Sequence, residues 1–289
     1  MQTYPNPNKT TPRQKNYSLK KQFCGQSKVA FFLACARFIK KIMELIMTPT
    51  LQAIILGIVE GLTEFLPVSS TGHLLVAKEF LGFNAVSGNV FEIAIQTGAI
   101  LAVCVLYYKK LVHVAFTVFS NKQSQKFVFA VLIAFLPAVA VGLTIHKFME
   151  RHFFNLTSIA ISFILGGIAI LLIEKYVRNP KIHNVDNINK KTAFKIGLIQ
   201  CLSMIPGTSR SGATIMGAML AGVDRKAAAE FSFFLAIPTI IGATALDLYK
   251  NWSQINTNEL DLILIGAAVS FFVAIMVVSK LVGFVSRNG

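Results

Sequence analysis

The sequence predicts an all-α polytopic membrane protein, a helical bundle with two broken re-entrant hairpins arranged as an inverted repeat. Three observations predict it. Hydrophobic residues make up 54% of the 289 residues and charged residues 14%, against roughly 25% charged in a soluble domain. Apolar runs of about 17 to 25 residues recur, each long enough to cross a hydrocarbon core of about 30 Å. Two further apolar stretches are broken near their centres by clusters of Gly, Pro, Ser and Thr. Collagen, coiled coil, disordered tail and disulfide scaffold are excluded by the same composition. Cys24, Cys35, Cys104 and Cys201 are widely spaced and form no CxxC pair, so neither a zinc site nor a disulfide framework is indicated.

The uninterrupted spans fall at residues 91–108, 127–145, 156–173, 227–246 and 262–279. The broken stretches cover 51–81 and 192–222. They are interrupted at Pro67-Val68-Ser69-Ser70-Thr71-Gly72-His73 and at Pro206-Gly207-Thr208-Ser209-Arg210-Ser211-Gly212. Loop charges set the orientation, because cytoplasmic loops collect Lys and Arg. The 109–126 loop holds Lys109, Lys110, Lys122 and Lys126 with no acid, and 174–195 holds six cations against two acids. Both belong inside, which leaves the 146–155 and 247–261 loops outside. The 192–222 segment must then enter from the cytoplasm and return to it, and 51–81 must enter from the opposite face. A shift of 140 residues lays Gly57 on Gly197, Leu62 on Leu202, Ser69 on Ser209 and Gly72 on Gly212, which is the mark of an inverted repeat. Irregular backbone survives at membrane depth only where protein or a watery cavity surrounds it, so the two tips should meet and line one polar cavity.

The net charge is +15. Residues 1–46 hold nine Lys/Arg against Glu44 alone, a concentration that speaks of topology rather than of nucleic-acid binding. The reading divides the chain into this basic N-terminal extension, 1–46, and a single transmembrane domain, 47–289. The extension would have to sit outside, against the positive-inside rule, so a native start nearer Met43 or Met47 is expected.

Glu60 and Glu64 lie four residues apart, so a helix puts both carboxylates on one face. A carboxylate at mid-membrane costs about 2.5–3.5 kcal/mol, which selects for water, a cation or a ligand beside the pair. Two such carboxylates would attract a divalent cation or Arg210, and oxygen ligands with phosphate chemistry favour Mg²⁺ or Ca²⁺. Ser69, Ser70 and Thr71 supply hydroxyls, with an N-cap for a helix starting near Leu74 as the bland reading. His73 beside them is a candidate acid, base or nucleophile. Arg210, between Ser209 and Ser211, has a planar fork suited to phosphate oxygens. Its alternative is a salt bridge to Glu60 or Glu64 that joins the two repeats. Glu92, Gln96 and Glu230 read first as helix-packing polar residues, and Lys78, Glu79, Asp224, Arg225 and Lys226 as interfacial charges.

Glu60-Gly61-Leu62-Thr63-Glu64-Phe65-Leu66-Pro67-Val68-Ser69-Ser70-Thr71-Gly72-His73, with Pro206-Gly207-Thr208-Ser209-Arg210-Ser211-Gly212, resembles the bacterial undecaprenyl-diphosphate phosphatases of the bacitracin-resistance type. The likeness extends from about Leu51 to Arg287 and includes Glu230-Phe231-Ser232-Phe233 and Gly242-Ala243-Thr244-Ala245-Leu246-Asp247-Leu248-Tyr249. It implies a multi-pass enzyme of the bacterial plasma (inner) membrane that removes the terminal phosphate of a polyprenyl diphosphate lipid. That reaction recycles the lipid carrier of cell-wall (peptidoglycan) synthesis and confers bacitracin resistance. The family's functional positions fall on Glu60, Glu64, Ser70, Thr71, His73, Ser209, Arg210 and Ser211. The resemblance also implies dependence on a divalent cation, leaves a homodimer open, and leads to the expectation of one more hydrophobic helix than 289 residues contain. The reading from another class is a polyprenyl-phosphate transporter or flippase, since inverted repeats with broken helices are also transporter architecture.

Overall fold

A computed structural model describes residues 47–86, 90–177, 179–251 and 259–288. The expected basic extension, 1–46, lies outside them. From Thr48 onward the described residues, Phe80–Gly82 apart, form one compact unit. That unit carries the site and every helix below, except the last two residues of the helix ending at Leu81.

Its elements are α1 (Pro49–Thr63), α2 (Ser70–Leu81), α3 (Val90–Leu106), α4 (Tyr108–Thr117), α5 (Lys122–Phe153), α6 (Leu156–Tyr176), α7 (Lys190–Gln200), α8 (Arg210–Leu220), α9 (Arg225–Asn251) and α10 (Leu260–Asn288). Helix starts are written in side chains that accept an otherwise unpaired backbone N–H. Thr48 takes the Leu51 N–H ahead of Pro49, Asn121 takes that of Gln123, Asn155 that of Ser158 and Asn189 that of Thr192. Ser209 takes the Gly212 N–H and so starts α8.

Among the described residues four helices are long and apolar enough to cross a membrane: Lys122–Ile145, Leu156–Tyr176, Arg225–Lys250 and Leu260–Phe284. Val90–Leu106 and Tyr108–Thr117, bent by 75° at their junction, pass as a pair, which brings the crossings to as many as five; the 17 residues of α3 are by themselves about the least that cross a hydrocarbon core. All five expected spans are therefore helical, with different ends. The stretch 109–126 is not a plain loop but contains α4. The 146–155 loop is mostly the last turns of α5, and α9 and α10 extend well past their apolar cores. The helix expected from Leu74 begins at Ser70.

Between the two hairpins, α1–α2 and α7–α8, run three crossings: α3, α5 and α6. An odd number puts the hairpins on opposite faces, as an inverted repeat requires. The 140-residue shift carries α2 onto α8, α3 into α9 and α5 onto α10. The repeats are interlocked, for α1 packs along α10 and α7 along α5. Gly57 and Gly197, partners under the shift, make both crossings close. A Cβ on Gly57 would stand 2.6 Å from the Gly266 carbonyl oxygen, and one on Gly197 would stand 2.4 Å from that of Ala134. The core between them is built on Phe65, Phe231, Phe233, Ile100, Ile196 and Leu235. The outer face of α6 exposes Ile164, Leu165 and Leu171, as a lipid-facing helix does.

Candidate active site

The helix–break–helix of each hairpin brings its tip to the other. Ser211 donates its hydroxyl hydrogen to the Leu66 carbonyl at 2.6 Å, crossing from the second hairpin to the first. That hydrogen being spent, Ser209 Oγ donates to Ser211 Oγ at 2.9 Å while accepting from the Gly212 N–H. Ser69, at the first tip, has a φ of 61°, a left-handed conformation costly for a residue with a Cβ. The expectation that the tips meet is met by these contacts.

Glu64 is the hub. Ser70 donates to its Oε2 at 2.5 Å and Arg210 Nη2 to its Oε1 at 3.1 Å. Arg210 Nη1 reaches the Ser232 carbonyl at 3.1 Å, and Thr214 pairs with the Ser232 hydroxyl at 2.6 Å. Both charges are largely buried, 12% exposed for the Arg210 side chain and 7% for Glu64. The salt bridge weighed for Arg210 is thus present, and it joins the two repeats. One donor, Arg210 Nε, is buried with no partner.

Glu60, one turn below Glu64 on α1, is completely buried, and no donor reaches either of its oxygens. His73 has its Nδ1 2.8 Å from the Ser69 carbonyl. A carbonyl only accepts, so Nδ1 carries the hydrogen, and in a neutral ring the lone pair is then on Nε2. The ring stacks on Phe163 of α6, centroids 5.3 Å apart.

A cavity of about 620 Å³ opens at the junction. Glu64, Ser69, Ser70, Thr71, Ser209 and Arg210 line it. Glu60, His73 and Ser211 are not among its lining residues; Ser211 is held in the seam between the tips. The other walls come from Gln96, Met149, Phe154, Ser203, Met204, Thr239, Ile240, Ala243, Asp247 and Lys250, together with Pro206, Gly207 and Thr208. This is a polar floor with partly apolar walls, the form that suits an anionic headgroup on an apolar tail.

Sequence reasoning missed several of these. Gln96 reads as a packing residue, yet it lines the cavity, as do Asp247, quoted only within the family likeness, and Lys250, one residue of the 247–261 loop. Gln200 was not singled out. It is fully buried, its amide oxygen and nitrogen both lack partners, and the 140-residue shift lays Glu60 on it. The repeat already in hand carried that signal. Lys78, read as an interfacial charge, pairs with Glu92 across α2 and α3, and Arg225 is held by both oxygens of Glu174. Cys104 and Cys201 are free thiols. Among the described residues no three His, Cys, Asp or Glu side chains converge as metal ligands, so a cation at Glu60 and Glu64 would need further oxygens from hydroxyls, water or substrate.

The family described as bacitracin resistance protein BacA matches residues 53–289. A protein called undecaprenyl-diphosphatase 2, from Paramagnetospirillum magneticum, is 48% identical over 241 residues, covering 83% of this chain and 91% of that protein. Undecaprenyl-diphosphatases from Methylococcus capsulatus and Nitrobacter hamburgensis are each 50% identical, over 238 and 242 residues. These cover 82% and 83% of this chain and 87% and 90% of those proteins.

Proposed function

Because the chain belongs to the BacA family, we propose that it is a multi-pass membrane undecaprenyl-diphosphatase, which hydrolyses the diphosphate of a polyprenyl lipid to the monophosphate and phosphate. The observation that carries the reading is the single cavity where Arg210 and the hydroxyls of Ser69, Ser70, Thr71 and Ser209 converge at the two tips. The relatives' names favour hydrolysis over transport.

The diphosphate sits on that floor, its oxygens taken by Arg210, the hydroxyls and the backbone N–H groups opening α8, which stabilise charge as the bridging P–O bond breaks. Arg210 Nε, buried and unpartnered, is a donor kept for this ligand. His73 does not line the cavity, so its role as nucleophile or general acid–base group requires Nε2, the nitrogen not used in its Ser69 contact, to reach the bound diphosphate directly or through a water. A trapped phosphohistidine would decide for the nucleophile. Glu60 and Glu64 would hold a divalent cation, Mg²⁺ or Ca²⁺. The fit rests on Glu60, whose oxygens are buried beside a second carboxylate with no donor to satisfy them. Such an ion, when bound, supplies positive charge to the phosphate oxygens. The lipid is drawn from a bacterial plasma membrane.

The test is phosphate release from undecaprenyl diphosphate by purified protein in detergent, with and without chelator, where no gradient exists to drive transport. Release that chelation abolishes and added Mg²⁺ or Ca²⁺ restores is expected. No release under any ion would overturn the reading, and release untouched by chelation would overturn the cation.

A further inference from the structure

The segment after α3 has a surface that the catalytic reading does not use. At Tyr107 the chain turns by 75° out of α3, an apolar helix of 17 residues, into α4. None of the ten residues of α4 is buried. Leu111 and Val114 pack partly against the core, whereas Tyr108, Val112 and Phe116 of the helix are exposed, Phe116 to 83%, and Phe119 in the turn after it is 93% exposed. A helix this short is marginal in water without a surface to lie on. Charge identifies that surface. From Tyr107 to Lys126 there are four lysines, His113 and no acid. One lysine is already engaged: Lys110 pairs with Asp186 at 2.6 Å and lies over the Phe127 ring, clasping the segment to the bundle. Lys109, Lys122 and Lys126 are exposed.

We propose that α4 and the turn after it lie along the plane of an anionic bilayer surface. Phe116 and Phe119 enter the acyl boundary, and Lys109, Lys122 and Lys126 meet acidic headgroups. Two independent features support this occupant over a protein partner. The segment is continuous with the apolar helix α3, which sets it at the membrane surface, and its uncompensated cations complement an acidic leaflet. Aromatic rings beside lysines are the composition of an interfacial anchor. Each lysine near such a surface is worth about five-fold in partitioning, so the three together select lipid strongly.

The test uses the full chain with Trp252→Phe, which removes the one tryptophan, and Phe119→Trp as reporter. A second variant, Phe116→Trp, guards against a local effect. The proteins are reconstituted in vesicles where either phosphatidylglycerol or phosphatidylcholine is the brominated minority lipid. Blue-shifted emission is expected, quenched at least about two-fold more by the brominated acidic lipid at equal mole fraction. Lys109→Gln with Lys122→Gln and Lys126→Gln should remove that preference while leaving the blue shift. Emission at the wavelength of a watery tryptophan, or unquenched emission from rings covered by a second copy of the chain, would overturn the proposal. Equal quenching by both lipids would overturn the anionic selectivity.

Discussion

Glu64 receives one donor at each carboxylate oxygen, from Ser70 of its own hairpin and from Arg210 of the other, so it must be judged as half of a buried pair. Removing one partner from such a pair costs about 3–5 kcal/mol, whereas replacing both by apolar groups is often neutral. Arg210→Ala should therefore lower both the melting temperature in detergent and phosphate release, the latter about a hundred-fold or more for a lost transition-state donor. Glu64→Leu with Arg210→Met should regain the stability and none of the release. If the double variant recovered activity, the pair would be structural only. Glu60 and Gln200 offer a sharper contrast, because both are fully buried and unpartnered at matching positions of the two repeats. Gln200→Met removes an unsatisfied amide and should leave stability unchanged or raise it by up to about 1–3 kcal/mol, with release intact. Glu60→Gln should also be stable but lose release about ten-fold or more, because it takes one negative charge from the pair that would hold the cation. These two residues show how much of the site was legible. Glu60, Glu64 and Arg210 stand out in sequence because a charge in an apolar run is costly enough to need a reason. A glutamine costs less and passes for packing, so Gln200 and Gln96 emerged only when burial and the cavity could be seen.

Among the described residues hydropathy found each spanning helix and misjudged the ends of most, for a physical reason. An apolar window measures the hydrocarbon slab, whereas a helix runs until its backbone groups find another partner. Thus α5 continues to Phe153 through the polar His146–Arg151 stretch, and α2 starts at Ser70 rather than at the first apolar residue. The Asn caps at 121, 155 and 189 mark helix starts in sequence, and hydropathy cannot see them. The contacts between elements also rest on single atoms. Where α3 crosses α10, a Cβ on Gly98 would fall 2.2 Å from the Ala267 carbonyl oxygen, and Gly57 and Gly197 are nearly as tight against α10 and α5. Gly98→Ala, Gly57→Ala and Gly197→Ala should each destabilise by about 1–3 kcal/mol as overpacking of backbone against backbone. Gly166 and Gly167 on α6 have nothing within 4 Å of such a carbon, so Gly166→Ala should be neutral, or stabilising through its better helix propensity. Thermal melts of the four variants in one detergent check the ranking. Equal melting temperatures would mean that the crossings relax without cost.

At the scale of the molecule, the interlocking of the repeats explains why one site arises from two hairpins. Each hairpin lays its first helix against the other repeat's last spanning helix, α1 on α10 and α7 on α5. The tips are thereby held against each other from opposite faces, with Ser211 bonded to Leu66 across the seam. The halves have diverged at their chemical positions, Gln200 facing Glu60's place and Arg210 facing that of Ser70 under the shift, so their joint cavity is one composite site rather than two equivalent ones. The arrangement requires α3, α5 and α6 each to cross the membrane once. Single cysteines in a chain lacking Cys24, Cys35, Cys104 and Cys201 would check it, placed at the exposed positions Asn84, Ser120, Arg151 and Lys181. These flank the three crossings in turn. An impermeant maleimide on intact cells should label Asn84→Cys and Arg151→Cys, and should reach Ser120→Cys and Lys181→Cys only after permeabilisation, since the lysine-rich 109–126 and 174–195 segments stay inside. If Ser120→Cys and Arg151→Cys labelled from the same side, α5 would not cross, the number of crossings between the hairpins would become even, and both hairpins would enter from one face. The contact between Leu66 and Ser211 would then join hairpins of the same leaflet, and the inverted repeat would be wrong although every helix in it were right.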